Sequence, residues 1–535
     1  MTQQTLMLIE ATGIQDYIFG SNELLQHIGA SELVQQATTD WLYETLPAPH
    51  NIDPDPKSAD GWQIADRGLV ADRLAAEVVY AGGGNAMVLF ADDDQVRAVA
   101  RRLTRRILIE APGLQIVLKR KTFDPHQEPL SALHQQLRDE LAQRKLDRQR
   151  STPLLGLGVT AACVFTGAPA VAVEDGQLIS AQVQAKRNAQ SDGQKRLNRH
   201  LPGVTRAGYE FVYDFNKLGT KGESSYLAVI HTDGNGMGER IKDIGRNYPT
   251  ASDNAAYVLA LRRFSESVQE AATAALNSTV GMLLDPANIV RDKYGQEKLG
   301  EVVPIFDNRY LPFRPIVFGG DDVTFVCEGR LGLEIAAKYL GEYSSRRLSD
   351  GKLAHARAGV AVVRSHYPFS RAYDLADALA KSAKGYIKHW EDQGEPGVTA
   401  LDWHFAITGL VLPLRDVRKR EFTVPAGSLL MRPLRLSNPA ADWRSWQVFS
   451  QVLYAFQNPS GKWAGRRNKI KALRDALRTG QDAVRLFMRG FDHPLPDIAQ
   501  QPDMQTDGWQ GGYCGYFDAV EALDFYVPLK GGFKG

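Results

Sequence analysis

Residues 316–326 read Ile-Val-Phe-Gly-Gly-Asp-Asp-Val-Thr-Phe-Val. Two apolar, β-branched runs flank two glycines and two adjacent acids, which predicts two strands joined by a tight turn. Neighbouring side chains on a strand point to opposite faces, so two adjacent carboxylates can serve one site only through a turn. Hard divalent cations take oxygen ligands, and Mg²⁺ usually takes one or two carboxylates plus substrate phosphates. Bare glycines let a nucleotide approach the backbone closely. A solvated β-turn uses the same residue types, so the hairpin alone does not decide between the two readings.

A second stretch shifts the balance toward the metal site. Residues 226–238 read Tyr-Leu-Ala-Val-Ile-His-Thr-Asp-Gly-Asn-Gly-Met-Gly, an apolar strand ending in Asp233 and a Gly-rich turn, with a helix expected to follow. A carboxylate at a strand end supplies a metal ligand, and the helix N-terminus supplies N–H groups for phosphate. Together the stretches predict a palm-type nucleotide polymerase or cyclase site. Asp233, Asp321 and Asp322 would hold two Mg²⁺ or Mn²⁺ ions about 4 Å apart, activate a 3′-hydroxyl and stabilise a pyrophosphate leaving group.

The order of elements around this site recurs. Strand 6–9, helices over 11–39, strand 78–80, a Gly turn, strand 86–90, helix 92–109 and strand 114–118 follow the β–α–β–β–α–β order of a ferredoxin-like domain. Residues 226–363 repeat it, an internal duplication of fold. Gly82-Gly83-Gly84-Asn85 falls on Gly319-Gly320-Asp321-Asp322, and Thr12-Gly13 on Asp233-Gly234. On this alignment the first copy keeps the glycines and lacks all three carboxylates. It is expected to be catalytically dead, yet able to hold a nucleotide through its backbone.

The fold class expected is α+β: a first palm-like domain over 1–150, a linker over 151–222, a second palm over 223–410 and a helical domain over 411–535. The length of 535 residues suits several domains. The net charge of +1 argues neither for nor against nucleic acid. Cys163, Cys327 and Cys514 form no CxxC pair, so neither a disulfide framework nor a zinc ribbon is supported, and a reducing cytoplasm is expected. No signal peptide and no membrane span are expected. Residues 130–150 read as a polar bridging helix, and 186–207, with seven basic side chains, as a mobile basic loop. Lys381 and Lys384 lie three apart on an expected helix, where either suits a triphosphate. His404 reads as structural. Beyond 411, Pro425, Pro433 and Pro439 punctuate a linker, helices are expected over 443–456 and 467–487 with a basic cluster around Trp463, and the Gly-rich end reads as loose.

The ordered set ATGIQDYIF, ASELVQQAT, AGGGNAMVLF, CVFTGAPA, HTDGNGMG, FGGDD and SAKG resembles CRISPR-associated protein ten, the large subunit of type III CRISPR effector complexes of the Cmr and Csm kinds. The resemblance spans roughly residues 5–405. It implies two palms sandwiching two ATP molecules, synthesis of cyclic oligoadenylates, and effector subunits with guide and target RNA as partners. It makes Asp233, Asp321 and Asp322 metal ligands. Gly319, Gly320 and Asn235 would line one ATP, Gly82, Gly83, Gly84 and Asn85 the other, and Lys384 would meet the triphosphate. Two family features are missing: no His-Asp dipeptide occurs, so no HD nuclease is expected, and the zinc-ribbon cysteines are absent. The alternatives are a structural effector subunit and a free-standing cyclic dinucleotide or oligonucleotide synthase that pairs through its palms as a homo-oligomer.

Overall fold

Strand β1 (Gln4–Thr12) is followed by α1 (Ile14–Phe19) and α2 (Leu24–Thr38), the hairpin β2 (Ala76–Gly82) and β3 (Asn85–Phe90), α3 (Asp93–Glu110) and β4 (Gln115–Phe123). The sheet order is β2-β3-β1-β4, antiparallel throughout. The computed structural model describes residues 3–147, 158–218, 225–407, 412–436, 442–491, 493–499 and 501–534. Helix α3 shows why the sequence chooses its elements. Asp92 accepts a hydrogen bond from the Asp94 N–H at the helix start, and Val96, Val99, Leu103 and Ile107 recur at helical spacing and are buried.

Helix α4 (Leu130–Leu146) leaves the first sheet and buries Leu130, Leu133, His134, Leu137 and Leu141. It bridges the copies: His134 Nδ1 lies 2.8 Å from the Tyr257 hydroxyl of the second. Residues 148–150 of the expected helix lie outside the described residues, as do the expected domain limits near 150, 222 and 410. The hairpin β5 (Ala170–Glu174) and β6 (Gln177–Ser180) leads into α5 (Ala181–His200). The mobile loop expected over 186–207 is therefore corrected: it is α5 and a short helix, Pro202–Arg206. Lys195, Arg199 and Arg206 are exposed, but the others are held by partners from elsewhere in the chain. Lys186 Nζ donates to the Tyr17 carbonyl, and Arg196 pairs with buried Glu32 at 2.8 Å.

The second copy comprises β7 (Tyr226–Gly234), α6 (Met237–Arg246), α7 (Asn254–Leu283), the hairpin β8 (Phe313–Val317) and β9 (Val323–Glu328), α8 (Gly332–Ser344), β10 (Ala356–Arg364), α9 (Phe369–Asp392) and β11 (Ala400–Ala406). Its sheet runs β8-β9-β7-β10-β11 and ends on β12 (Leu434–Arg435). The first four strands repeat the order of the first copy, and β11 is added parallel to β10. Strands β7 and β10 are buried along almost their whole length, hence their near-continuous Val, Ile and Ala runs.

The longer helices of the C-terminal part are α10 (Trp446–Gln457), α11 (Arg467–Thr479) and α12 (Gln481–Met488). The single helix expected over 467–487 is broken at Gly480, whose φ is 120°. The basic cluster is a solvated face, with Lys462, Arg467, Lys469, Lys471, Arg474 and Arg478 exposed; its contacts are local, Arg467 and Lys471 with Asp524 and Lys469 over the Phe491 ring. Pro439 lies outside the described residues.

The chain end is not loose. Phe525, Val527 and Leu529 are buried, Asn288 exchanges hydrogen bonds with Lys530, and Tyr526 donates to the carboxylate of Glu334 on α8. Burial pushes Glu334 up from 4.5 to about 7. A carboxyl raised on folding contributes stability that is complete below pH 4.5 and is lost as pH rises through about 7. Hydrogen exchange in residues 525–533, corrected for intrinsic rate, is expected to be faster at pH 8 than at pH 6. Glu334→Gln should remove that difference, and a difference that survives the substitution would reject this account.

Candidate active site

Strand β7 carries Asp233 to its end, and the β8–β9 turn carries Asp321 and Asp322 beside it. One carboxylate oxygen from each of the three lies within 4.8 Å of the other two. Two glycines make this possible. A Cβ on Gly234 would stand 2.7 Å from the Asp321 Cβ, so only glycine leaves room for the acid. Gly319 adopts φ +103°, which an L side chain resists.

Loss of bulk water and the neighbouring Asp322 push Asp321 up to about 7. Asp322 opens to the cleft, whose concave walls and the Asp377 carboxylate raise it to about 6. Two acids that resist ionising together are a site short of positive charge. The oxygen-only donor set and its spacing fit a hard divalent cation. Arg357, opposite Asp233 on β10, forms an ion pair with it and donates to the Asn235 side chain at 2.8 Å. Asp233 is thereby held in place with one side already neutralised. His231 reaches Thr324 Oγ at 3.2 Å, and burial lowers it to about 4, so it is neutral at pH 7.

Asp321 and Asp322 open into a cavity of about 680 Å³ between the two copies; Asp233 stands behind them and does not itself line it. Gly82, Gly83, Gly84 and Asn85 line it from the first copy, and Gly319, Gly320, Asp321 and Asp322 from the second. Both Gly hairpins therefore face one chamber. Helix α5 braces the acidic hairpin: the Arg196 guanidinium lies over the Phe318 ring at 4.3 Å, and Gln194 accepts from Arg314 of β8 at 2.7 Å.

Two expected residues sit elsewhere. Lys384 is exposed on α9 and does not line the chamber. One turn earlier, Lys381 holds Asp377 at 2.5 Å, and Asp377 faces Asp322 and His231. Asn235 does not line the chamber either. Its amide bonds the Val398 carbonyl at 3.2 Å, so it ties β7 to the segment entering β11. His404 is buried on β11, away from the chamber, and burial lowers it to about 3.

The alignment of the copies also needs correction. Gly13 and Gly236 start equivalent helices with φ 66° and 70°. Counting back from each puts Glu10, not Thr12, at the place of Asp233. The strand pairing agrees: Glu10 pairs with Asn85, and the β7–β9 ladder runs from Thr232–Val323 toward Asp233 and Asp322. The first copy thus has Glu10, Gly84 and Asn85 where the second has Asp233, Asp321 and Asp322. It retains one acid, and Lys145 of α4 forms an ion pair with it. Sequence reasoning missed Arg357, Arg196, Arg138 and Lys145 because each reaches the site from a distant element. Only Arg357, on the strand next to Asp233, had a local signal.

No protein-family model and no curated protein sequence matches the chain. Solved structures do. A crystal structure of the apo Csm1-Csm4 cassette is 14% identical, with a TM-score of 0.54 over 98% of this chain and 70% of that chain. The chain has the fold of Csm1. Csm1 in T. onnurineus aligns at a TM-score of 0.51 and 14% identity over 99% of this chain and 70% of its own. A Csm1-Csm4 cassette in complex with cA4 aligns at 0.51 and 14% identity, over 98% of this chain and 69% of that one. Among the described residues no helix is long and apolar enough to cross a membrane.

Proposed function

We propose that this chain is a nucleotidyltransferase of the type III CRISPR large-subunit kind, converting ATP to cyclic oligoadenylates. The observation that carries the reading is the three-carboxylate cluster, two of whose members, Asp321 and Asp322, line a chamber walled by both Gly hairpins. Csm1 structures have been solved with one ATP and with cA3 and cA4, which supports adenine nucleotides as the ligand class. They are also cassettes with Csm4, which supports an effector subunit of that kind as a partner of this chain.

On this reading Asp233, Asp321 and Asp322 hold Mg²⁺ or Mn²⁺, which when bound lowers the pKa of a 3′-hydroxyl and neutralises the leaving pyrophosphate. The chain's own contribution is position. Gly319 and Gly320 allow the backbone to approach one nucleotide, and Gly82, Gly83, Gly84 and Asn85 hold the other with its hydroxyl toward the α-phosphate. Arg357 fixes Asp233. Among the described residues, none beside the acids is a general base with a pKa near 7, since His231 is held neutral well below it.

The test is incubation of purified chain with each NTP and Mg²⁺ or Mn²⁺, with and without RNA, followed by mass spectrometry. Cyclic oligoadenylates are expected from ATP. A requirement for RNA assigns the chain to an effector complex, and RNA-independent turnover to a free-standing synthase. No product from any NTP, with RNA and partner subunit present, would overturn the enzymatic reading in favour of a structural subunit.

A further inference from the structure

The inference concerns Arg138 on the bridging helix α4, and it rests on the nucleotide reading above. Arg138 lines the chamber, and its Nη1 is enclosed with no hydrogen-bond partner among the described residues. Enclosed guanidinium donors are normally satisfied; several arginines carry an orphaned nitrogen, and among the described residues Arg138 is the one of them that lines the chamber, where an entering anion can reach it. Its surroundings explain why the protein supplies no acceptor. The titratable side chains that its charge reaches are Tyr80, His134 and Tyr257; burial holds both tyrosines neutral, and burial together with Arg138 keeps His134 neutral at about 3, while Glu10 in the same chamber is paired with Lys145.

The other side of Arg138 is a helix start. A Cβ on Gly238 would lie 3.8 Å from Arg138 Nη2, and Gly238 is in the first turn of α6. That turn has no side-chain cap, and its N-terminal end carries partial positive charge. An arginine parked against the positive end of a helix is unfavourable until an anion lies between them. The acids are adjacent, because Gly234 separates Asp321 from Met237, the first residue of α6. A polyphosphate ligated at the acids and running toward α6 would bring its far end between Arg138 and the α6 N–H groups.

We propose that Arg138, with the N-terminus of α6, binds the terminal phosphate of the nucleotide held by the second copy, and so makes the site selective for triphosphates. The cation and the α6 backbone serve any nucleotide with two phosphates, whereas Arg138 reads the third. The bridging helix would therefore sense whether the second copy holds substrate or spent nucleotide.

The experiment is calorimetric titration with a non-hydrolysable ATP analogue, ADP and adenosine in Mg²⁺, on wild type, Arg138→Ala and Arg138→Lys. A charge-assisted hydrogen bond of this kind corresponds to roughly ten- to a hundredfold in affinity. Arg138→Ala is expected to weaken the triphosphate by about tenfold or more, leave ADP and adenosine within about twofold, and erase the triphosphate preference; Arg138→Lys should restore part of it. An equal loss for all three ligands would mean that Arg138 supports the fold only, and unchanged triphosphate affinity would mean that it binds no phosphate. Either result overturns the inference and leaves the nucleotide reading intact. Wild type that binds none of the three overturns both.

Discussion

Asp321→Ala/Asp322→Ala is expected to reduce oligoadenylate synthesis by roughly a thousandfold or more while leaving the fold in place. Both acids lie in a turn between β8 and β9, and alanine keeps the Asp321 Cβ that packs against Gly234, so truncation removes the carboxylates and leaves that contact. The cluster loses two of its three carboxylates, and Asp233, already paired with Arg357, cannot replace them. The same pair makes a second forecast of opposite sign. Without a cation, Asp321 and Asp322 repel each other in a chamber that screens them poorly, as their raised values record. Asp321→Asn should therefore raise the melting temperature of metal-free protein by about a degree or two while abolishing the Mn²⁺-dependent rise expected of wild type. Thermal melts with EDTA and with Mn²⁺ read both effects. Full synthesis in the double variant, or an unchanged Mn²⁺ response in Asp321→Asn, would remove the acids from the active site.

Gly29→Ala should be among the most damaging single-methyl changes in the chain. Gly29 lies in α2, where a Cβ would stand 1.7 Å from the Lys186 carbonyl oxygen of α5; from the other side, a Cβ on Gly193 would stand 3.0 Å from Ile28. Helices this close touch backbone to backbone. Alanine gains about 1 kcal/mol over glycine in helix propensity. That gain is outweighed by the separation of two packed helices, which costs about 1–3 kcal/mol or more as overpacking. Denaturant melts are expected to show a net loss of about 2 kcal/mol, and synthesis should fall further than stability because α5 carries Arg196 to Phe318. Gly385→Ala, at an exposed position on α9 where an added Cβ meets nothing within 4 Å, is the control and should be neutral or slightly stabilising. If Gly29→Ala behaved like that control, the close packing of α2 on α5 would be wrong.

Much of the chamber could be read from the chain because it is built from local runs. The strand, glycine and acid order of 316–326 and 226–238 needs only neighbouring residues to state it, and the structure puts the three acids together. The duplicated element order was legible for the same reason, since alternation and helical spacing are short-range signals. What failed was long-range. Residues 186–207 looked like a solvated loop because charge was read without partners; Glu32, the Tyr17 carbonyl and the Phe318 ring, which satisfy that charge, come from other parts of the chain. The offset between the copies failed by two residues because Gly-rich turns match one another at several registers. Only the strand pairing and the left-handed glycines fix which one is real. Lys384 and Lys381 lie on neighbouring turns of one helix, and sequence cannot say which faces the acids.

Helix α5 is wedged between α2 of one half and the Phe318 hairpin of the other, and reaches each through contacts that leave no slack. A rod clamped at both ends passes on displacement without absorbing it. A push delivered outside the chamber, anywhere along those twenty residues, would arrive at the acidic turn as a change in its tilt.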